Sequence, residues 1–169
     1  FKATAFSLIF SFRLTKKNDD KEETILLNLA NDEKGIILRI IITQPKNAIK
    51  VIASKIEWEI DFNIEFNKDY LVCLVQEKKS LRKKIHFFIN TKKIDKLSPI
   101  EYEHKANTLI EIPDFDQRLL LELGKSNFEG IFGDLLIINK KIRARDMFHL
   151  YNVKEDYSDI ISTVDYNKS

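Results

Sequence analysis

The segment from Ile56 to Phe66 alternates strictly between apolar and polar side chains. Its apolar members are Ile56, Trp58, Ile60, Phe62, Ile64 and Phe66, and its polar members are Glu57, Glu59, Asp61, Asn63 and Glu65. Because successive side chains of a β-strand point to opposite faces of a sheet, this pattern predicts a strand with one face on a core and the other in water. A chain built from such strands must bury the apolar face of each sheet against a second layer.

The same period of two recurs along most of the chain. Residues 6–14 carry an apolar side chain at every even position, and Ile36–Ile42 is apolar on both faces, which predicts a central strand. Residues 70–76 and 85–90 flank a charged tip and predict a long hairpin. With the remaining strand-like runs, the sequence predicts an all-β fold of about ten short strands in a two-sheet antiparallel jelly-roll sandwich.

The last third of the chain departs from this period. Three of the four glycines in the whole chain lie here, Gly124, Gly130 and Gly133, and they predict a turn between two strands. Ala144, Met147, Phe148 and Tyr151 then follow the spacing of one helix face, so we expect one short helix at about residues 143–151. Residues 91–118 contain two prolines and predict a long excursion with at most two short strands.

Composition narrows the class of protein. At 169 residues the chain suits one domain. Its 28 basic and 26 acidic residues leave a net charge of +2, which gives no reason to expect nucleic acid as a partner. The single Cys73 lies in an apolar strand, where a buried and unreactive thiol is expected. With one cysteine no disulfide framework is possible, which favours a reducing compartment. Because the chain begins at Phe1, already in a strand-like pattern, we expect a piece of a longer, cytoplasmic protein.

Three segments resemble the concanavalin A-like lectin/glucanase superfamily, in its laminin-G-like branch. Asn67–Leu74 is similar to the family strand W-x-H-V-A-V, with Tyr70 in place of the tryptophan. Lys84–Ile94 is similar to L-Y-V-N-G-K-L, although Thr91 replaces the turn glycine. Leu123–Tyr151 resembles the family's closing motif, which carries glycines, a Gly-Asp pair and a final Leu-Tyr.

The resemblance implies a jelly-roll domain over residues 1–153, with residues 154–169 as a tail or edge strand. The family also occurs inside large intracellular BEACH-family proteins. In that setting the domain would be a non-catalytic module that binds a ligand, a protein partner or other domains of the same protein, and the protein would act in vesicle trafficking and protein sorting. The alternatives are a carbohydrate-binding lectin module of a secreted or surface protein and, less favoured, a glycoside hydrolase.

The segment Glu59–Glu65 resembles the E-x-D-x-x-E catalytic motif of glycosidases with this fold. Retaining glycosidases hold two carboxyl groups about 5–5.5 Å apart. Here Asn63 stands where a second catalytic carboxylate is needed, and Glu59 and Glu65 are separated by roughly 20 Å of extended strand. We therefore expect that the domain is not an enzyme.

Neither a cofactor nor a metal is predicted. Calcium sites need several oxygen ligands, and the candidates Asn18–Asp20, Asp114, Asp116 and Asp134 show no recognisable ligand spacing. The three histidines, His86, His104 and His149, are widely separated, and with one cysteine they do not form a zinc motif.

One concentrated basic patch lies at the tip of the predicted hairpin. It consists of Lys78, Lys79, Arg82, Lys83 and Lys84. A solvated tip is the simplest interpretation. The functional hypothesis is binding to an acidic protein partner or to acidic lipid headgroups, since each basic residue near an anionic surface contributes roughly 1 kcal/mol. In that case the protein would be peripheral to membranes.

Overall fold

A computed structural model describes most of the chain up to residue 146. The described residues are 5–15, 23–31, 35–44, 46–53, 55–79, 82–91, 100–105, 109–110, 119–125, 128–138, 140–143 and 146. They contain eleven strands, which are β1 Phe6–Leu14, β2 Thr24–Asn31, β3 Gly35–Thr43, β4 Ala48–Ala53, β5 Ile56–Asn63, β6 Tyr70–Lys79, β7 Arg82–Thr91, β8 Ile100–Lys105, β9 Leu119–Lys125, β10 Gly130–Phe132 and β11 Leu136–Ile138.

The strands form two antiparallel sheets that pack face to face. Sheet A has the order β10-β1-β6-β7-β8, and β11 also pairs with β1. Sheet B has the order β5-β4-β3-β2-β9. The predicted all-β, two-sheet antiparallel sandwich is confirmed. No helix in the described part of the chain has the length and apolar character needed to cross a bilayer.

The core lies between the inner faces of the two sheets. Strand β1 contributes Phe6, Leu8, Phe10, Phe12 and Leu14, each at most 5% exposed. Fully burying one such side chain contributes about 1.5–3 kcal/mol. Sheet B contributes mainly isoleucine, leucine and valine, whose branched side chains suit the pleated surface.

The strongest sequence patterns correspond to observed strands. Strand β5 buries Ile56 and Ile60 and exposes the polar residues between them, as the alternation predicts. Strand β3, predicted to be central, lies in the middle of sheet B. Strands β6 and β7 form the predicted hairpin, and their pairing runs from Tyr70 opposite Thr91 to Lys79 opposite Arg82. In the predicted excursion, the described residues include one strand, β8, at the end of sheet A.

The glycine-rich stretch crosses from one sheet to the other. It leaves sheet B at β9 and enters sheet A at β10 and β11, both paired with β1. Gly130 lies so close to β1 that a Cβ atom would stand 2.0 Å from the carbonyl oxygen of Arg13, so the crossing requires glycine here. Of the predicted helix at 143–151, residues 144, 145 and 147–151 lie outside the described residues, as does the predicted tail at 154–169. The described Asp146 donates its backbone N–H to the carbonyl of Arg143 at 2.9 Å.

A second apolar cluster covers the outer face of sheet A. It contains Ile9, Leu71, Cys73, Val75, Phe88, Leu136, Ile138 and Ile142. The segment 140–142 is fixed across this face by Ser7, whose hydroxyl donates to the carbonyl of Lys140 and accepts from the N–H of Ile142. Cys73 is 1% exposed, and burial raises the pKa of its thiol, so the predicted burial is confirmed.

One fully buried polar side chain holds a connecting segment against the core. Gln76, within β6, donates to the carbonyl of Ile110 and accepts from its N–H, both at 2.8 Å. Ile110 is itself 3% exposed, so its backbone groups have little access to water. The amide of Gln76 therefore pairs both backbone groups of a buried residue.

We expect Gln76→Met to lower the free energy of unfolding by roughly 3 kcal/mol, because both backbone groups of Ile110 lose their partner. Urea denaturation followed by tryptophan fluorescence measures the change. The matched control is Gln44→Met, at a partly exposed turn residue, which should shift stability by less than about 0.5 kcal/mol. Equal stability of the two variants would contradict this role for Gln76.

Candidate functional site

The predicted basic patch lies on the β6–β7 hairpin. The backbones of Lys78, Lys79 and Arg82 are paired in strands, and their side chains lie outside the described part. Lys83 and Lys84 are partly buried. The ammonium group of Lys84 contacts the carboxylate of Glu103 at 2.9 Å, so at least this charge of the patch is matched within the domain. Binding to lipid or to an acidic partner stays a prediction.

The Lys84–Glu103 pair belongs to a cluster of charges on the outer face of sheet A. His86 on β7 stands directly opposite Glu103 on β8, and Glu101 lies two residues earlier on the same face of β8. The Nδ1 atom of His86 lies 2.9 Å from a carboxylate oxygen of Glu101. Hydrogen bonding and charge attraction from Lys84 lower the pKa of Glu103, so this carboxylate is ionised at neutral pH.

The other side of the His86 ring faces a second carboxylate. Its Nε2 atom lies 3.4 Å from Glu77, and that carboxylate also binds the ammonium group of Lys141 at 2.9 Å. His86 and Glu77 are each 9% exposed. No sequence pattern indicates this arrangement, because Glu101 and Glu103 fall in the segment that is predicted to be an irregular excursion.

Among the described residues, His86, Glu101 and Glu103 are the group whose side-chain atoms could hold a metal ion. One ligand atom from each lies within 4.8 Å of the others. The prediction of no metal rested on sequence spacing, and a site built across two strands leaves no such spacing. His104 lies apart from this group and stacks on Trp58, with ring centroids 5.2 Å apart. His149 lies outside the described residues.

The remaining predicted candidates show no assembled site in the described ranges. On β5, Glu59, Asp61 and Asn63 are exposed and alternate with the core residues. Asp134 is also exposed. The other calcium candidates, Asn18–Asp20, Asp114 and Asp116, lie outside the described residues.

A different surface of the sandwich is apolar. Among the described strands, β9 is the last of sheet B, and it exposes Leu120 (51%), Leu121 (44%) and Leu123 (37%). Leu121 and Leu123 pair with the core residues Leu29 and Leu27. They therefore extend the core-facing side of sheet B onto its edge strand.

The outer face of this edge is apolar as well. Leu120 and Ile36 flank Ala30 there, and Ile36 is 37% exposed. The nearby charge of Glu122 is held by Asn28, which in turn accepts a hydrogen bond from Arg39. We call β9 and Ile36 the apolar edge. Edge strands of monomeric proteins are usually protected by charge or by a covering segment, so such an edge is a candidate binding surface.

No protein-family model and no curated protein sequence matches this chain. Solved structures share its fold at low identity. The extracellular region of zebrafish Gpr126/Adgrg6 superposes with a TM-score of 0.59 at 13% identity, over 86% of this chain and 19% of that chain. A structure of Trypanosoma rangeli sialidase in complex with 2,3-difluorosialic acid superposes with a TM-score of 0.55 at 11% identity, over 92% of this chain and 24% of the sialidase.

These likenesses show the fold alone. They agree with the expected concanavalin A-like architecture at the level of a β-sandwich. Each match spans less than a quarter of the larger protein.

The expectation that this chain is not an enzyme is contradicted, because an enzyme, the sialidase, shares its fold over 92% of the chain. The expectation rested on the carboxylate spacing along β5 alone, whereas a catalytic site can draw its residues from several strands and loops. At 11% identity the likeness establishes no activity here.

The lipid hypothesis for the basic patch is testable with vesicles. We expect the wild type to float with vesicles containing an acidic phospholipid at about 0.15 M salt. A variant with alanine at Lys78, Lys79, Arg82 and Lys83 should remain at the bottom of the gradient. Lys84 is kept in this variant, because its ion pair with Glu103 joins β7 to β8.

The matched control removes four lysines that lie elsewhere on the domain. They are Lys46, Lys55, Lys68 and Lys140, all exposed. Equal flotation of wild type, tip variant and control would eliminate lipid binding by the tip.

Proposed function

We propose that this domain is a protein-interaction module that binds another segment of a longer protein through the apolar edge. The observation that carries the proposal is the exposure of Leu120, Leu121 and Leu123 on the strand that ends sheet B in the described part of the chain. Such a strand offers backbone groups for an added strand and apolar side chains for its contacts. The partner is therefore an extended segment with apolar side chains.

The choice of another segment of the same protein follows from the size of the similar proteins. In both, the matched sandwich is less than a quarter of the chain. Sandwiches of this fold thus occur as parts of much longer chains, where neighbouring segments are present at high effective concentration. A module with an uncovered apolar edge is suited to such a setting, because a free edge invites aggregation.

The wider setting that we propose is a BEACH-family protein of the cytoplasm that acts in vesicle trafficking and protein sorting. Its support is the resemblance of Leu123–Tyr151 to the closing motif of the sandwich found in those proteins. The same stretch supplies the end of β9 as well as β10 and β11, so the segment that suggests the setting also builds part of the apolar edge.

A carbohydrate-binding module is the alternative function. Sugar rings are commonly bound by stacking on exposed aromatic side chains. In the described part of the chain, the large apolar side chains that are most exposed are all leucine or isoleucine. Trp58 instead packs against Phe87 and His104. The exposed surface therefore favours protein over glycan, and reproducible micromolar binding on a glycan array would reverse this preference.

We expect Leu120→Asp to weaken, by at least about tenfold, the binding of the isolated domain to a form of the longer protein from which this domain has been deleted. The reason is that a buried charge replaces an apolar contact. Biolayer interferometry with the isolated domain measures the affinity. Leu120 is 51% exposed, so the fold should tolerate the change.

The matched control is Ile100→Asp, at a residue that is 49% exposed on β8, the end strand of sheet A. This variant should bind like the wild type. If both variants bind like the wild type, or if the wild type does not bind, the proposed docking surface is wrong.

A further inference from the structure

The cluster formed by His86, Glu101 and Glu103 spans two neighbouring strands on the outer face of sheet A. We propose that these three residues bind a zinc ion. Their ligand atoms lie within 4.8 Å of one another. The Glu101 and Glu103 side chains are 51% and 38% exposed, so they can rotate until their oxygens stand about 2.0–2.2 Å from a shared ion.

A second observation comes from the buried ring of His86. Its Nε2 atom is buried and has no hydrogen bond, while Glu77 lies 3.4 Å away on that side. A metal at Nδ1 would place the ring proton on Nε2, where it points to the Glu77 carboxylate. Metal-bound histidines commonly donate their other N–H to a carboxylate in this way.

Glu77 is well placed for this positioning role. It is 9% exposed, and Lys141 binds the same carboxylate oxygen that faces His86. Lys141 thereby offsets the cost of a buried negative charge and fixes the carboxylate next to the ring.

The donor set selects the type of ion. Calcium takes six to eight oxygen ligands, whereas one imidazole nitrogen with two carboxylates suits zinc. Three protein ligands leave a fourth position for water or for a ligand from outside. The proposed site therefore has an open coordination position.

Lys84 competes with the ion for one ligand. Its ammonium group holds Glu103 at 2.9 Å, and zinc binding requires Glu103 to exchange this partner for the metal. Removing the lysine should therefore tighten zinc binding, which a purely structural ion pair would not predict.

The test is isothermal titration of untagged protein with zinc chloride at pH 7.5. We expect one zinc ion per chain, and binding weakened at least about tenfold in each of Glu101→Gln, Glu103→Gln and His86→Gln. Lys84→Gln should bind more tightly than the wild type. Because the two glutamates are exposed, their variants keep the test valid if His86→Gln does not fold, and circular dichroism verifies each fold.

Two controls separate this site from scattered surface binding. His104→Gln removes a histidine outside the cluster, and Glu59→Gln removes an exposed acid on sheet B; both should bind zinc like the wild type. The proposal is overturned if the wild type shows no saturable binding up to about 100 µM zinc. It is also overturned if the controls lose as much affinity as the cluster variants.

Discussion

The burial of one face of β1 is the interaction on which the rest of the sandwich depends. Its apolar face lies wholly between the two sheets, while its backbone pairs with β6 on one side and with β10 and β11 on the other. The outward side chains Ser7 and Ile9 meanwhile contact the segment that crosses the back of sheet A. A single strand thus joins the β6–β7 hairpin to β10 and β11 near the end of the described chain.

The two open sides of the sandwich are closed in different ways. On the β5–β8 side, Tyr102 donates to the carbonyl of Asp61 and His104 stacks on Trp58, so polar and aromatic contacts join the sheets. On the β9–β10 side, Phe128 and Phe132 pack together near Gly124, while the leucines of β9 remain exposed. The contacts of the first side join the two sheets, whereas the exposed leucines of the second side are the basis of the proposed binding surface. The charged cluster around His86 lies on the outer face of sheet A, and its carboxylates Glu101 and Glu103 belong to β8, the strand that also carries Tyr102 and His104.

How far the sequence predicts this structure depends on where each contact originates. The alternation at β5 and the apolar run at β3 arise within single strands, and both positions were predicted. The role of Gln76 arises from a residue 34 positions away, and nothing in the local sequence distinguishes it from any other glutamine in a strand. The pairing of His86 with Glu101 and Glu103 requires the register between β7 and β8, which a short strand in a proline-flanked segment does not reveal. The leucines of β9 precede the glycine turn that the sequence predicts between two strands, but only the order of the described strands shows that β9 lies at an edge.

Hydrogen exchange tests the central claim, that the edge strand β9 is a binding surface, most directly. The exchange rates of its amides are compared between the isolated domain and the same residues within the longer protein. The account predicts that amides of β9 become protected in the longer protein, while those of β8, the end strand of the other sheet, keep their rates. Identical exchange of β9 in both forms would contradict it.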